Sequence, residues 1–224
     1  MPDSIKLYRF LGHDSALRTI EQRQFRVGRL KEFNDPFEWR VGVTNIVAEG
    51  EIIAQACLDS FVDEMNSQFG MLCFSETVSD PVLWAHYAEA HTGVAFEVDY
   101  LVDPETLSKV EYTDDRPVLD ANTLNDPSQV DAQLLPLLNR MLRQKAPSWS
   151  YEQEYRVHIG LESCETAGGH YLQNIPDDFL TRVILGFRCP LDPRYVRKAL
   201  GSVGLGNTEV VRAKMDQLSY QILC

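Results

Sequence analysis

Short runs of alternating apolar and polar positions recur along the chain, separated by runs with helical spacing. IKLYRFL, Ile5 to Leu11, predicts a first strand, closed by Gly-His-Asp. Ser15 to Arg23 carries Ala16, Leu17 and Ile20 at helical spacing. QFRVGRL, Gln24 to Leu30, predicts a short strand bearing Arg26 and Arg29. KEFNDPFEW follows and is dense in turn formers, with Asn34 and Asp35 ahead of Pro36. Glu49 to Ser67 predicts an amphipathic helix. GMLCFSET, Gly70 to Thr77, predicts an apolar strand that turns polar at its end. Ser79 or Asp80 can cap a helix, PVLWAHYAEA, whose Pro81 suits the first helical position. TGVAFEVDY, Thr92 to Tyr100, predicts a strand with Val94, Phe96 and Val98 on one side.

The pattern weakens in the middle. Residues 103–130 are polar and rich in Asp, Pro and Asn, with one strand expected at Lys109 to Thr113. Asp131 to Lys145 predicts a helix and Glu152 to Glu162 a strand. GGHYLQNIP reads as a turn and connection, Thr181 to Phe187 as a buried strand, and Pro193 to Leu200 as a helix. Two final strands are expected at Glu209 to Ala213 and Leu218 to Leu223. Strands and helices mix without regular βαβ alternation. That favours an α+β fold of mixed and antiparallel sheets with flanking helices. The length, 224 residues, suits a single domain over residues 1–224, with 103–130 as a polar connecting segment.

Composition narrows the function classes. The formal net charge is -12, from 33 acidic and 21 basic residues. Such a chain is repelled over long range by nucleic acid and anionic membranes. Its five cysteines, Cys57, Cys73, Cys164, Cys189 and Cys224, are scattered and form no CxxC pair. This argues against a disulfide framework and a structural zinc site. The opening residues carry no apolar run of signal-peptide length, and no stretch approaches 18 apolar residues. A reducing, cytoplasmic setting is expected.

Four polar clusters are candidates for chemistry. Tyr8 and Arg9 lie within the apolar first strand. Asn34, Asp35 and Glu38 fall in FNDPFE, which alone is also a generic turn. In CFSET, Ser75 and Thr77 share one face of a strand, and Trp84 and Tyr87 lie three apart on the helix that follows. His86 and His91 lack metal-ligand spacing, so no metal is expected. The fourth cluster is SWSYEQEYRVHIG. Read as a strand, it aligns Glu152, Glu154, Arg156 and His158 on one face. That face is either solvated or the working surface of a site. Neighbouring carboxylates repel unless a cation sits nearby, and Arg156 can supply part of that compensation.

The order LYRF, FNDPFE, CFSE, LWAHYAEAHTGVAFEVD, WSYEQEYRV, VILG resembles the bacterial domain-of-unknown-function family 2971, over roughly Ile5 to Gly186. The set also resembles, more distantly, the arginine–serine–glutamate signature of ADP-ribosyltransferases. Arg9 matches its first element, Ser75 and Thr77 its second, and Glu152 and Glu154 its Glu-x-Glu. The middle element departs from the usual Ser-Thr-Ser, and Glu76 adds a charge there. The resemblance implies an ADP-ribosyltransferase-like fold and NAD as substrate. Glu154 would stabilise the oxocarbenium character of the nicotinamide ribose, Glu152 would activate the acceptor, and Ser75 would hold the glutamate. Arg9 would engage the ribose–phosphate part, with Arg26 and Arg29 as further phosphate contacts, and Tyr87 or Trp84 could stack on nicotinamide. Tyr8 and Thr77 complete the expected dinucleotide contacts. The partners implied are a dinucleotide and an unknown macromolecular acceptor, in a toxin or defence setting, with no membrane and no strong nucleic-acid signal.

Two other classes stay open. One is an enzyme of bacterial defence acting on a nucleotide or nucleic acid through His86, Asp35 and Glu38. The other is a non-enzymatic acidic module that binds a basic protein.

Overall fold

A computed structural model describes residues 4–45, 50–122 and 127–224. The first half runs β1 (Ser4–Leu11), α1 (His13–Gln22), β2 (Gln24–Arg29), β3 (Gly42–Thr44), α2 (Gly50–Gln68), β4 (Phe69–Ser75), α3 (Pro81–Tyr87) and β5 (Val94–Leu101). The polar middle holds β6 (Leu107–Lys109), β7 (Glu111–Tyr112) and β8 (Val118–Asp120), followed by α4 (Pro127–Arg143) and β9 (Gln144–Lys145). The last part runs β10 (Glu154–Gly160), β11 (Glu165–Ala167), β12 (His170–Asn174), β13 (Leu180–Leu185), α5 (Pro193–Ser202), β14 (Glu209–Arg212), β15 (Lys214–Met215) and β16 (Ile222–Leu223).

The fold is α+β, built on a ten-stranded mixed sheet. Its main path is β11-β12-β2-β4-β1-β5-β13-β14, and β10 adds to β4 and carries β6. One face forms the main core, where Leu7, Phe96, Val98, Val183 and Leu185 meet α1 through Ala16 and Ile20 and α5 through Val196 and Leu200. A second cluster, with Leu30, Trp39, Leu58, Met71, Leu137 and Met141, packs α2 and α4 against the other face of β4. Trp84, Ala88, Ala95 and Ile184 form a third cluster.

Local chemistry sets the helix ends. Asp80 caps α3 by accepting from Val82 N at 2.7 Å, and Asp192 caps α5 by accepting from Arg194 N at 2.8 Å. Each is followed by a proline that suits the first helical turn. Helix α3 ends at Tyr87, earlier than PVLWAHYAEA suggests, because Glu89, Ala90 and His91 all take positive φ.

Several expected boundaries move. The strand expected to run to Thr77 ends at Ser75, where Ser75 Oγ accepts Thr77 N and turns the chain away. The strand expected from Glu152 begins at Glu154, after a 3₁₀ turn over Pro147–Glu152 closed by Gln153 at φ 45°. The helix expected to reach Lys145 stops at Arg143, and Gln144–Lys145 pairs with β7 instead. GGHYLQNIP contains β12, reached through Gly168 and Gly169, both at positive φ. The expected strand Leu218 to Leu223 shrinks to Ile222–Leu223, leaving Leu218 and Tyr220 exposed. Glu49 and part of the polar segment, 123–126, lie outside the described residues, as does the side chain of Cys57. No helix among the described residues is long and apolar enough to cross a membrane.

Candidate functional site

The sheet opens at one point. β1 pairs with β5 along its length but meets β4 only where Tyr8 faces Ser75. β2 meets β4 further along, at Gly28–Met71 and Arg29–Gly70. The intervening edge of β4 is bridged by a side chain. Arg9 Nη1 donates to Cys73 O at 3.1 Å and Nη2 to Arg26 O at 2.9 Å. Its guanidinium lies 5.6 Å from the Phe25 ring and 5.9 Å from the Phe74 ring. Its Nε is buried without a partner among the described residues.

A cavity of about 460 Å³ opens over this gap. Its lining brings together Tyr8, Arg9, Ser75, Tyr87, Glu152 and Glu154. Asn34, His86 and Lys145 also line it. The three strands that carry Arg9, Ser75 and Glu154 are neighbours in the sheet, in the order β1-β4-β10, and Glu154 sits directly across from Ser75.

The floor is ionic. On β10 the parity of Glu154, Arg156 and His158 holds, but their face is not wet: it lies under the layer formed by α2, α4 and β9. Arg156 is fully buried. Its Nε donates to Glu154 Oε1 at 2.9 Å, its Nη1 to Leu142 O at 3.1 Å, and its Nη2 to Glu38 Oε1. Lys145 Nζ donates to Glu152 Oε2 at 2.6 Å and to Glu154 Oε2 at 3.2 Å, and lies 3.9 Å from Glu38 Oε2. One ammonium therefore bridges the two carboxylates of the Glu-x-Glu. Three carboxylates (Glu38, Glu152, Glu154) face two cations (Lys145, Arg156), which leaves one formal negative charge.

Three sequence motifs converge on this floor. FNDPFE supplies Glu38 to Arg156 and Asn34 to Tyr87, through Nδ2 donating to the phenol oxygen at 3.0 Å. WAHYA supplies Tyr87, whose hydroxyl donates to Glu152 Oε1. YEQEYRV supplies Glu152, Glu154 and Arg156. Tyr112 adds a hydroxyl that accepts Glu154 N at 2.9 Å.

The two glutamates differ electrostatically. Burial pushes the Glu154 carboxyl up, but Arg156 and Lys145 outweigh it and hold it down at about 2. For Glu152 burial prevails over Lys145 and Tyr87, and its carboxyl is pushed up. Burial likewise raises Glu38, against Arg156 and Lys145. Burial and the neighbouring Glu152 carboxylate raise the Tyr87 phenol well beyond its usual range, so it stays a donor.

Other expected contacts fall elsewhere. Trp84 is fully buried in the third cluster, donates to Val78 O at 2.7 Å, and is closed off from any ligand. Three residues apart on a short helix proved enough to separate it from Tyr87. Thr77 bonds to Ser79 beyond the strand end. Arg26 is exposed and paired with Glu32 at 3.0 Å, and only its carbonyl reaches Arg9. Arg29 donates to Asn66 O and stacks over Tyr171 at 5.0 Å. Asp35 is buried in its own turn, accepting Phe37 N at 2.9 Å. His86 is exposed on the cavity rim, its Nδ1 2.9 Å from the Tyr151 hydroxyl. Asp35 and Glu38 line a cavity that His86 does not, so these three do not form one centre. Lys145 was missed by sequence reasoning. It looked like the last residue of a helix, and nothing local signals that it turns inward. Among the described residues no group of three or more His, Cys, Asp and Glu side chains is arranged to hold a metal.

Fold and site together define an α+β protein in which a gap between strands of the main sheet opens a cavity above a buried ionic cluster. A family model described as protein of unknown function (DUF2971) matches residues 83–157. That span includes Tyr87, Lys145, Glu152, Glu154 and Arg156, whereas Arg9, Glu38 and Ser75 precede it. No curated protein and no solved structure matches the chain.

Proposed function

We propose that this protein is an ADP-ribosyltransferase-like enzyme that breaks the nicotinamide–ribose bond of NAD and passes the ADP-ribosyl group to an acceptor or to water. The observation that carries the reading is the meeting of Arg9, Ser75, Glu152 and Glu154 around one cavity of about 460 Å³. The anomeric carbon gains positive charge as nicotinamide leaves, and the ionised Glu154 beneath the cavity favours that charge. The two glutamates divide the work as their environments suggest. Glu154 stays ionised beneath Arg156 and Lys145 and offers the permanent negative field. Glu152, with its carboxyl pushed up, is the one suited to take a proton from an acceptor. Tyr8 and Tyr87 supply aromatic walls. Arg9 already donates to two carbonyls. The second hydrogens on its two Nη atoms are the ones left for a phosphate oxygen.

The test is nicotinamide release from NAD by the purified chain, with and without a lysate as a source of acceptors. Glu154→Gln should lower release by about 100- to 1000-fold. Glu152→Gln should spare hydrolysis more than transfer. Equal silence of the wild type and both variants, with no thermal shift on adding NAD, rejects the reading.

A further inference from the structure

A separate cavity, of about 590 Å³, lies between the loop after β13 and the β15–β16 hairpin, and shares no lining residue with the first. The loop supplies Phe187 and Arg188, and the hairpin supplies Leu218 and Tyr220. Leu218 and Tyr220 are both 97% exposed, so nothing in the fold covers the hairpin wall. The loop wall is fixed in place. Gly186 N donates to Gly93 O at 2.9 Å, and Arg188 N donates to His91 O at 3.2 Å. Only glycine allows this approach, since a Cβ at Gly186 would meet His91 O at 2.2 Å. The His91 ring lies 5.0 Å from the Phe187 ring and 6.5 Å from the buried Trp84, which ties Phe187 to the third cluster.

Charge at this loop runs against the rest of the chain. The formal net charge is -12, yet two guanidinium groups here lack a carboxylate. Arg212 donates from Nη1 to Gly186 O at 3.0 Å and Cys189 O at 2.8 Å, and from Nη2 to Leu191 O at 2.8 Å. No carboxylate among the described residues pairs with it. Arg188 is exposed in the cavity wall, with its guanidinium 4.9 Å from the Phe187 ring centroid. Its side chain makes no hydrogen bond or ion pair among the described residues. The one carboxylate in the described lining, Asp216, accepts Leu218 N at 3.0 Å and Ser219 Oγ, and so holds the hairpin turn. Burial, then Arg188, push the His91 imidazole down, so it adds no second charge at neutral pH. One free guanidinium matches a monoanion. A dianion would leave one charge unmatched near Asp216.

We propose that this cavity binds a planar aromatic monocarboxylate. The carboxylate takes two N–H groups of the Arg188 fork, and the ring lies against Phe187 and Tyr220. A guanidinium resting on an aromatic face keeps its N–H edge open to a carboxylate and loses little further freedom on binding. Arg212, engaged with the loop carbonyls, adds positive field without a contact of its own. The site goes beyond the NAD reading and does not rest on it, since its binding is measured without NAD.

The test is calorimetric titration of the full chain at neutral pH and low salt with indole-2-carboxylate. Indole-2-carboxamide, with the same ring and no charge, is the control. Saturable binding of the carboxylate is expected, with the amide at least about tenfold weaker. Arg188→Gln should lower the affinity about 10- to 100-fold. Tyr220→Ser removes one ring wall and should lower it about threefold to tenfold. Both side chains are exposed, so both variants should melt like wild type. The proposal is overturned if the carboxylate does not bind, if the amide binds equally, or if Arg188→Gln or Tyr220→Ser binds like wild type. The charge comparison uses wild type alone, so it decides the matter even where a variant fails to fold.

Discussion

Two glutamates in the same sheet, Glu97 on β5 and Glu154 on β10, are 3% and 5% exposed and both are held as carboxylates. Their surroundings differ. Glu97 accepts from Lys6 Nζ at 3.2 Å and Thr181 Oγ1 at 2.9 Å, with Arg182 at 3.6 Å. Its cations reach in from solvent: Lys6 has a side chain 62% exposed. Glu154 is held by Lys145 and Arg156, which are sealed beneath α4 and shared with two more carboxylates. A carboxylate answered from the surface is a clip between strands. A carboxylate answered from inside, with one negative charge left over and a cavity above it, is a candidate for a site. Burial alone does not separate the two cases; the origin of the counter-charge does.

The largest break in this comparison comes from removing each cation. Arg156→Met leaves Glu38 and Glu154 without their guanidinium in a buried cluster, and should cost about 3–5 kcal/mol of stability in urea unfolding. Arg182→Met removes a half-exposed partner of Glu97 and should cost at most about 1 kcal/mol. Equal losses would erase the distinction.

Chemistry gives the second contrast. Under the proposed function, Glu154→Gln should lower nicotinamide release by about 100- to 1000-fold, as removal of a preorganised electrostatic contact does. Glu97→Gln should leave it within a few-fold, because Glu97 reaches the first cavity only through the Tyr8 hydroxyl, which a glutamine amide can still accept from. Parallel losses would mean that both substitutions act through folding.

How much of this was legible in the sequence depends on what each reading required. The parity of Glu154, Arg156 and His158 followed from the period of a strand and held. The choice between a wet and a working face could not follow from it. What covers that face is Lys145, Glu38 and α4, and parity within one strand says nothing about remote segments. FNDPFE looked like a turn, and Asp35 does build one. The same turn carries Glu38 into the ionic floor, a second role with no local signature. Ser75 and Thr77 were expected to share a face, yet the serine hydroxyl that accepts Thr77 N ended the strand between them. Local chemistry defeated local periodicity there. Lys145 was invisible because its partners are assembled only when β7 and β9 pair and close the 3₁₀ turn toward Glu152.

Acid should sharpen the comparison on the same strand. Burial, then Arg156 and Arg143, hold the His158 imidazole down at about 4, while Ser108 Oγ sits 2.9 Å from its Nε2. The unfolded imidazole titrates near 6.5. Between about pH 6.5 and 4 the unfolded chain binds the extra proton, so stability falls as pH falls. Allowing for its partial exposure, the loss is on the order of 1–2 kcal/mol. Glu154 has the same sign lower down, with stability lost between about pH 4.3 and 2. Urea midpoints across this range should flatten between pH 6.5 and 4 in His158→Gln. An unchanged slope would place the titrating group elsewhere.

The smallest expected effect bears on how far the ionic floor extends. Asn34 donates to the Tyr87 hydroxyl, which donates to Glu152. Asn34 is exposed, so its own bond is exchanged for water at little cost. Tyr87→Phe leaves one oxygen of Glu152 without its phenol and should cost about 1–3 kcal/mol. Asn34→Ala should cost well under about 1 kcal/mol. Glu97 has its own outward link, through Arg182 to the exposed Glu209, but that link runs through an ion pair rather than through a phenol. If the Asn34–Tyr87–Glu152 chain acts as a unit, the double variant should show a coupling of about 0.5 kcal/mol or more against the sum of the single losses. The sign is fixed by geometry: with the phenol gone, Asn34 Nδ2 has nothing to polarise, so removing it a second time should cost less. Strict additivity would confine the floor to its two cations and three carboxylates and leave Asn34 as a surface residue of the FNDPFE turn.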